Sequence, residues 1–314
     1  MKYDLIKYSD DMAGEWNRFV ASSKNGTFLL NRLYVDYHKD RFPDRSVVIR
    51  DESGRIVALF PATSTGQGVL SSHGGLTYGG FVMGADTRAQ QPLEWLELIA
   101  EYARQEGYNR IVYKCIPHIY HRVPAEEDIY ALFRMGARLS VCNLASVVPL
   151  PGGIASRLGK RAAKRIARFG LAVEQASVAE IWPIIVEDRR VRHNTVPVHS
   201  LDEMELLASR FPENIKVFKT VAGGEVLAGA VVYLMPETGV MHLQYAAASP
   251  AGFDIYAVDA IYHRLVTSLY PDYRWFDFGT SNEDGGRYLN TGMTAHKEEF
   301  GGRSVVYMQF AIDL

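Results

Sequence analysis

The sequence predicts an α+β fold in which one folding unit is used twice. The chain has 314 residues, 47% of them hydrophobic and 22% charged, which is enough apolar material for two domains of ordinary size. The order strand, turn, strand, strand, helix, strand is predicted in residues 54–117 and again in residues 224–281. Helical segments precede the strands in both halves. We therefore expect two domains, residues 1–150 and residues 151–314.

Hydrophobic periodicity assigns the elements of the first half. The turn Glu52-Ser53-Gly54-Arg55 separates two β-rich runs and predicts a hairpin. In chain order the half is predicted to contain helices at 16–20 and 31–38, strands at 46–49 and 56–63, strand-rich residues at 69–83, a helix at 93–103 and a strand at 111–113.

The second half follows the proline-glycine linker predicted at 150–153. Ser200 and Glu203 have the spacing of a capping box at the start of its second helix. In chain order this half is predicted to contain helices at 178–191 and 201–210, strands at 215–221, 226–234 and 240–248, a helix at 256–269, a strand at 275–278, a helix at 287–300 and a strand at 305–312.

The net charge of −2 conceals an uneven distribution. Thirty-four Lys and Arg balance 36 Asp and Glu, yet no acidic residue lies between Asp128 and Glu174, where eight basic residues occur. The rest of the chain therefore carries −2 − 8 = −10. Five of the basic residues fall on one helical face: Arg157, Arg161, Lys164, Arg165 and Arg168. This face fits a solvated helix and fits phosphate recognition equally well, on CoA, a lipid diphosphate-linked sugar or RNA. Interleaved aromatic residues for base stacking are missing from it.

Several function classes lack support in the sequence. No apolar stretch is long enough for a membrane span, and the acidic residues at the start of the sequence lead us to expect no secretory signal. Cys115 and Cys142 have apolar neighbours and are expected to be reduced core residues of a cytoplasmic protein. No phosphate-loop, HExxH, CxxC or GxSxG motif occurs, and no metal site is predicted. The glycines of 74–80 are expected to serve tight turns.

The candidate site follows the buried strand that ends at Asp277. Polar residues gather there, including Ser281 and Asn282, as expected at the carboxyl end of a strand. The helix predicted next carries Lys297.

Strings in this region resemble the C-terminal end of Fem-type and related tandem acyl-CoA N-acyltransferases, the GNAT-like superfamily. They are FDFG at 276–279, YLNTGM at 288–293 and HKEEFGG at 296–302, and similar strings occur at 197–199, 211–212 and 243–247. The first half contributes SHGGLTYGG at 72–80. The resemblance implies two tandem N-acetyltransferase-like domains, layered α/β/α with mixed central sheets, that transfer an acyl group to an amine.

The resemblance also implies where an acyl-CoA donor would bind. One strand splays from its neighbour and offers free amides to the thioester oxygen, and the next turn, 249–257, receives the pyrophosphate. Asp254 in that turn would repel pyrophosphate, and no basic residue is present there. The residues expected to contact the donor are Gln244, Tyr245, Ala246, Ala247, Ala248, Gly252, Ser281 and Asn282.

Acyl transfer needs a base for the amine and an acid for the leaving group. Candidate bases are His199, His242 and Asp277, the candidate acid is Tyr288, and Lys297 is a further catalytic candidate. No residue suggests a covalent acyl-enzyme, so direct attack is expected. The remaining substrate-binding candidates are His73, Tyr78 and His193, expected with His199 in a cleft between the halves, and Arg161 and Arg165 on the basic face.

Three functions remain open. The first is an N-acyltransferase that moves an acetyl-like group from acyl-CoA to an amino group of a sugar or a cell-wall or polysaccharide precursor. The second is a Fem-type transferase that takes its acyl group from aminoacyl-tRNA and extends a peptidoglycan peptide. The third is a non-catalytic GNAT-like protein that binds a phosphorylated ligand on its basic face.

Overall fold

The chain folds into two compact units. The computed structural model describes residues 3–150, 157–270 and 272–314. Unit 1 consists of Met1–Asn143, Asn282–Tyr288 and Val306–Leu314, and unit 2 consists of Leu144–Ser281 and Leu289–Val305. The first boundary between the units falls after Asn143, where the prediction has residue 150, and two short C-terminal segments group with the first half. The predicted linker residues 151–153 lie outside the described part of the chain.

Helices and strands are both distributed along the whole described chain. Up to residue 150 the helices are α1 (Ala13–Ser22), α2 (Arg32–Val35), α3 (Gln91–Gln105) and α4 (Glu127–Arg134). The strands of this part are β1 (Tyr3–Lys7), β2 (Val47–Asp51), β3 (Ile56–Phe60), β4 (Thr63–Ser64), β5 (Val69–Ser71), β6 (Val82–Met83), β7 (Arg110–Lys114) and β8 (Arg138–Pro149).

The second part of the chain begins with the basic helix. Its helices are α5 (Arg157–Phe169), α6 (Val178–His193), α7 (Leu201–Arg210), α8 (Pro250–Asp254), α9 (Ala257–Arg264) and α10 (Thr291–Glu299). Its strands are β9 (Ala172–Gln175), β10 (Ile215–Ala222), β11 (Glu225–Met235), β12 (Val240–Ala248), β13 (Trp275–Thr280), β14 (Asn282–Glu283), β15 (Tyr288–Leu289) and β16 (Arg303–Asp313).

Unit 1 contains a four-stranded antiparallel sheet with the order β1-β2-β3-β6. It also contains the strand series β4-β5-β7-β16, in which β5 and β7 are parallel. Helix α3 covers this region with Trp95, which is fully buried and packs edge-on against Phe81. Tyr113 of β7 is also fully buried, and its hydroxyl donates to Asp128 of α4 at 2.7 Å.

Unit 2 has a mixed sheet with the order β8-β13-β12-β11-β10-β9. Strands β12 and β13 are parallel and the other neighbours in that order are antiparallel. Alternate residues of a strand face opposite sides. On β11, Val232 lies in the core cluster that contains Ile261 of α9, whereas the Tyr233 hydroxyl reaches Met204 of α7. Helices therefore cover both faces, which gives the α/β/α layering.

Close helix packing in unit 2 depends on two glycines. A Cβ at Gly229 of β11 would lie 2.4 Å from the Cβ of Ile181 in α6. A Cβ at Gly252 of α8 would lie 1.9 Å from the Leu227 carbonyl oxygen. No side chain fits at either distance, so glycine is required where α6 and α8 meet β11.

The α+β class, the mixed sheets and most predicted elements are confirmed. The capping box of Ser200 and Glu203 is present, and Ser177 and Glu180 form a second one on α6. The helix predicted over 287–300 starts only at Thr291, because residues 288–289 are extended. The expectation that both cysteines are core residues is wrong for Cys142, which is exposed.

Candidate functional site

The parallel strands β12 and β13 pair over three positions and then separate. The register runs from Val240 opposite Trp275 to His242 opposite Asp277. Beyond that point β12 continues to Ala248 alongside β11, and β13 continues alongside β8. The edge of β12 that faces β13 is therefore available, within the described register, to a ligand that hydrogen-bonds backbone amides.

A β-bulge adjoins the point of separation. Leu243 lies opposite Val232 and Tyr245 lies opposite Val231, so Gln244 has no counterpart on β11. A bulge bends its strand and redirects the side chains that follow it. His242 and Tyr245, three positions apart, consequently both face the α6 and α7 side of the sheet, where Tyr233 packs near His242 and Trp182 packs on Tyr245.

His242 and Asp277 form a buried polar pair at the point of separation. The His242 Nδ1 atom lies 2.9 Å from Asp277 Oδ2, and the Gly279 amide donates to Asp277 Oδ1 at 2.7 Å. The Asp277 side chain is fully buried. A carboxylate held on both oxygens fixes the imidazole ring and favours the tautomer that carries its proton on Nδ1.

Lys297 of α10 fastens the chain immediately after Asp277. Its ammonium group donates to the Gly279 and Thr280 carbonyl oxygens, both at 3.0 Å. Burial lowers the pKa of Lys297 to about 8, and the negative charge of Asp277 opposes this shift. The structure therefore places Lys297 beside the buried pair, where its charge state affects the loop.

His199 and Tyr245 form a second polar pair on the same face. His199 precedes α7, and its Nδ1 atom lies 2.8 Å from the Tyr245 hydroxyl oxygen. The His199 backbone amide donates to the same oxygen at 3.3 Å. Burial raises the pKa of Tyr245, and the hydrogen bond from the His199 amide opposes the shift. The Tyr245 hydroxyl thus stays protonated at neutral pH and can act as a proton donor.

In the turn after β12, two backbone amides donate hydrogen bonds to Ser249 of the same turn. Ser249 caps α8: its hydroxyl accepts from the Gly252 amide at 3.1 Å and its carbonyl accepts from the Phe253 amide at 2.8 Å. Pro250 has no amide hydrogen. The predicted pyrophosphate site at this turn is therefore short of donors, which agrees with the charge of Asp254.

The basic face lies on helix α5, and one of its arginines, Arg165, is held by other residues of unit 2. Arg165 donates to the buried Asp259 at 3.0 Å, and its guanidinium lies 3.6 Å from the ring centre of Tyr256. Arg161 is 4.0 Å from Glu299, with both side chains about half exposed, a geometry that contributes little to stability. Lys160, Lys164 and Arg168 are exposed. Arg161 therefore remains available to a phosphate, whereas Arg165 holds Tyr256 in place.

Other predicted site residues are placed elsewhere. Tyr288 is 57% exposed in β15 and groups with unit 1, as does Asn282, whose amide donates to the Gly286 carbonyl at 3.2 Å. The Ser281 hydroxyl is buried, and no hydrogen-bond partner for it occurs in the described residues. The side chain of His193 lies outside the described residues.

The two candidates in the first half are buried in unit 1. Tyr78 is 1% exposed, its hydroxyl lies 2.8 Å from Thr27 Oγ1, and its ring packs on Tyr120. His73 is 2% exposed with a positive φ of 60°, and burial lowers its pKa well below the usual value. Both side chains are thus part of the interior of unit 1.

The described residues hold no cluster of three or more His, Cys, Asp or Glu side chains suited to a metal ion. None of the described helices combines the length and hydropathy that a bilayer span demands.

Sequence reasoning missed the aromatic residues beside the basic helix. Phe253 and Tyr256 come close to Arg192 and Arg165 only through the turn between α8 and α9. The motif Ser249-Pro250-x-Gly252, with an exposed Phe immediately after it, was the available signal.

Comparisons with known proteins agree with this architecture. No protein-family model matches the chain, and no curated protein matches it in sequence. Among solved structures, FemX superimposes with a TM-score of 0.71 at 12% identity over 99% of this chain and 97% of that one. L-PGS from Bacillus licheniformis gives 0.62 at 15% identity over 96% and 91%. A tandem GNAT protein from the clavulanic acid biosynthesis pathway gives 0.55 at 11% identity over 99% and 98%. The chain therefore has the tandem GNAT-like fold, the fold of acyl-CoA N-acyltransferases.

Proposed function

We propose that the protein is an N-acyltransferase whose active site lies in unit 2, where β12 and β13 separate. The observation that carries the proposal is the buried His242 and Asp277 pair at that point. A strand edge with free amides next to an imidazole and carboxylate pair supplies both parts of acyl transfer, carbonyl activation and proton transfer. The likeness to FemX and to the tandem GNAT protein supports the same reaction class.

His242 is the proposed general base. With Nδ1 donating to Asp277, the lone pair of Nε2 accepts a proton from the attacking amine. Asp277 then stabilises the imidazolium, as a buried carboxylate does in hydrolase triads. The β12 amides after His242 stabilise the negative charge that develops on the acyl oxygen.

Tyr245 is the proposed general acid, in place of the exposed Tyr288. Its protonated hydroxyl lies on the same face as His242 and is oriented by His199. After the tetrahedral intermediate collapses, Tyr245 gives its proton to the departing thiolate or ribose hydroxyl, and the amine proton remains on His242. The proton on His242 then returns to the Tyr245 phenolate through solvent, which restores both groups and needs no covalent acyl-enzyme.

The proposed donor is an acyl-CoA, and the proposed acceptor is the amino group of a sugar or of a cell-wall or polysaccharide precursor. A second donor, aminoacyl-tRNA, is favoured by one observation: Ser249 already accepts hydrogen bonds from two amides, those of Gly252 and Phe253, in the turn that would hold the CoA pyrophosphate. The exposed cations of α5 suit a polyanion of either kind.

The test is a transfer assay with purified protein. Acetyl-CoA, longer acyl-CoAs and charged tRNAs are supplied with amino sugars and peptidoglycan precursors, and product is detected by mass spectrometry. The proposal predicts amide formation that His242→Gln abolishes at unchanged melting temperature. Absence of transfer from every donor, together with binding of a phosphorylated ligand, would replace it with the non-catalytic alternative.

A further inference from the structure

Two aromatic side chains of unit 2 are each covered by an arginine that a carboxylate holds in place. The Arg165 guanidinium, 3.0 Å from Asp259, lies 3.6 Å from the ring centre of Tyr256. The side chain of Asp259 is only 2% exposed, so the arginine is anchored from the interior. This contact joins α5 to the turn that leads into α9.

The second arrangement repeats the first on the neighbouring helix. Arg192 of α6 is 3.2 Å from Asp188, and its guanidinium lies 3.7 Å from the ring centre of Phe253. The two rings are nearly parallel, with an interplanar angle of 23° and centroids 6.5 Å apart. Phe253 and Tyr256, flanked by Arg192 and Arg165, form what we name the aromatic platform.

The platform is both open and rigid. Phe253 is 51% exposed and Tyr256 is 46% exposed, although large aromatic side chains normally gain free energy from burial. Tyr256 has φ 59° and ψ 45°, a left-handed conformation that is unfavourable for a bulky residue. Such strain persists where the surrounding structure enforces it, and it is concentrated at binding sites.

The surroundings of the platform select its ligand. Each ring has a guanidinium over one face, and the aromatic surface that remains exposed can stack a planar ring. The exposed cations of α5 attract phosphates: Lys160, Arg161, Lys164 and Arg168. A ligand that combines a planar ring with phosphates is a nucleotide. The turn that carries the platform directly follows β12, the strand proposed to hold the acyl group.

We infer that the aromatic platform binds the adenosine nucleotide of the acyl donor by stacking its base on Phe253 and Tyr256. The inference rests on the proposed acyltransferase function and adds a subsite to it. Both proposed donors contain this chemistry, CoA in its 3′-phosphoadenosine part and tRNA in its terminal adenosine. The Gly252 and Phe253 amides of this turn are bonded to Ser249. Stacking of the base on the platform would hold the donor in place of hydrogen bonds from those amides.

Binding measurements with the full chain test the platform. The probes are CoA, phosphopantetheine, which lacks the adenosine, and a 12-nucleotide RNA that ends in 3′ adenosine. The variants are Phe253→Leu and Tyr256→Asn, the latter because asparagine tolerates the left-handed conformation. Phe133→Leu is the matched control, because Phe133 is a 74% exposed aromatic residue of α4.

We expect wild type to bind CoA or the RNA at least tenfold more tightly than either platform variant does, with Phe133→Leu within twofold of wild type. Preference for CoA over phosphopantetheine identifies CoA as the source of the nucleotide, and binding of the RNA alone identifies tRNA. Equal affinities for wild type and both platform variants would overturn the inference, even if acyl transfer is observed. If wild type binds CoA or the RNA through the platform but transfers no acyl group, the proposed function is contradicted and the platform inference is not.

Discussion

Each unit contains a pair of parallel strands, and the two pairs end differently. In unit 1, β5 and β7 pair up to Ser71 opposite Val112, and beyond that point hydrogen bonds within the unit still join the two segments of chain. The Lys114 amide donates to the Ser72 hydroxyl at 2.7 Å, and the Gly79 amide donates to the Lys114 carbonyl at 3.1 Å. In unit 2, β12 and β13 separate beside the buried His242 and Asp277 pair.

In each unit a lysine donates to carbonyl groups near the strand pair: Lys114, the half-buried last residue of β7, and the buried Lys297 of α10. Lys114 donates to the His73 and Leu76 carbonyl oxygens, and Lys297 donates to the Gly279 and Thr280 carbonyl oxygens. Burial lowers the pKa of each lysine to about 8. In unit 1 the polar groups beside the strand pair bond to one another. In unit 2 the His242 imidazole lies beside an edge of β12 that β13 no longer covers. The comparison teaches that a repeated fold does not by itself repeat a site.

Apart from His242→Gln, which removes the proposed base itself, the largest effect is expected from Asp277→Asn. Loss of the buried carboxylate removes the partner that fixes His242, and we expect kcat to fall about 10⁴-fold, as the same substitution does in a hydrolase triad. Initial rates with saturating donor measure it. The matched control is Asp128→Asn, a buried carboxylate of unit 1, which should lower the melting temperature and leave kcat of the folded protein unchanged. Equal losses of kcat in both variants would remove the distinction between the units.

Tyr245→Phe is expected to lower kcat about 10²-fold, because a general acid contributes roughly 10² to 10⁴. The loss should shrink with donors whose leaving group has a lower pKa, since these need less protonation. Tyr78→Phe, at a buried tyrosine of unit 1, provides the control. A uniform loss across leaving groups would assign Tyr245 a packing role only.

Lys297→Met is expected to lower kcat about tenfold at pH 7 and to remove an alkaline limb of the pH profile. In wild type the ammonium loses its proton near pH 8 and releases the Gly279 and Thr280 carbonyls, so the rate falls above that pH. Lys114→Met should keep the limb, although its lysine has the same pKa of about 8. A limb that persists in Lys297→Met would contradict this role.

The smallest effect on catalysis is expected from His121→Gln, which should act on the stability of unit 1 in mild acid. Burial lowers the pKa of His121 to about 4, so between pH 6.5 and pH 4 the unfolded chain binds more protons than the folded chain. The free energy of unfolding therefore falls as the pH is lowered through this window. His121→Gln should flatten the dependence in urea titrations, and an unchanged slope would rule out this histidine as its cause.

The sequence predicted the scaffold better than the site. Regular alternation and a capping box identify β10 to β12 and α7, because these signals are local. His242, Asp277 and Lys297 were identified as candidates, but their grouping depends on a strand register that spans 35 residues between His242 and Asp277. The prediction that Cys142 is a core residue is wrong because Cys142 is exposed, and Tyr288, the predicted acid, is exposed as well. Local sequence does not reveal such exposure, because burial is a property of the tertiary structure.

The aromatic platform illustrates the same limit. The spacing of the basic residues predicts the basic helix, and no aromatic residue lies among the cations of its basic face, since Phe169 belongs to the apolar side. Phe253 and Tyr256 reach the arginines from a turn about 90 positions along the chain from Arg165. Only a folded chain brings them together.

Hydrogen exchange on donor binding tests the central claim most directly. The protein is compared alone and with a non-transferable donor analogue, either a CoA thioether or a tRNA with an amide-linked aminoacyl group. The account predicts slower exchange of the amides at 243–248 of β12, with no change at 72–79 of unit 1. Protection at 72–79, or none at 243–248 under conditions where acyl transfer proceeds, would contradict the assignment of the active site to unit 2.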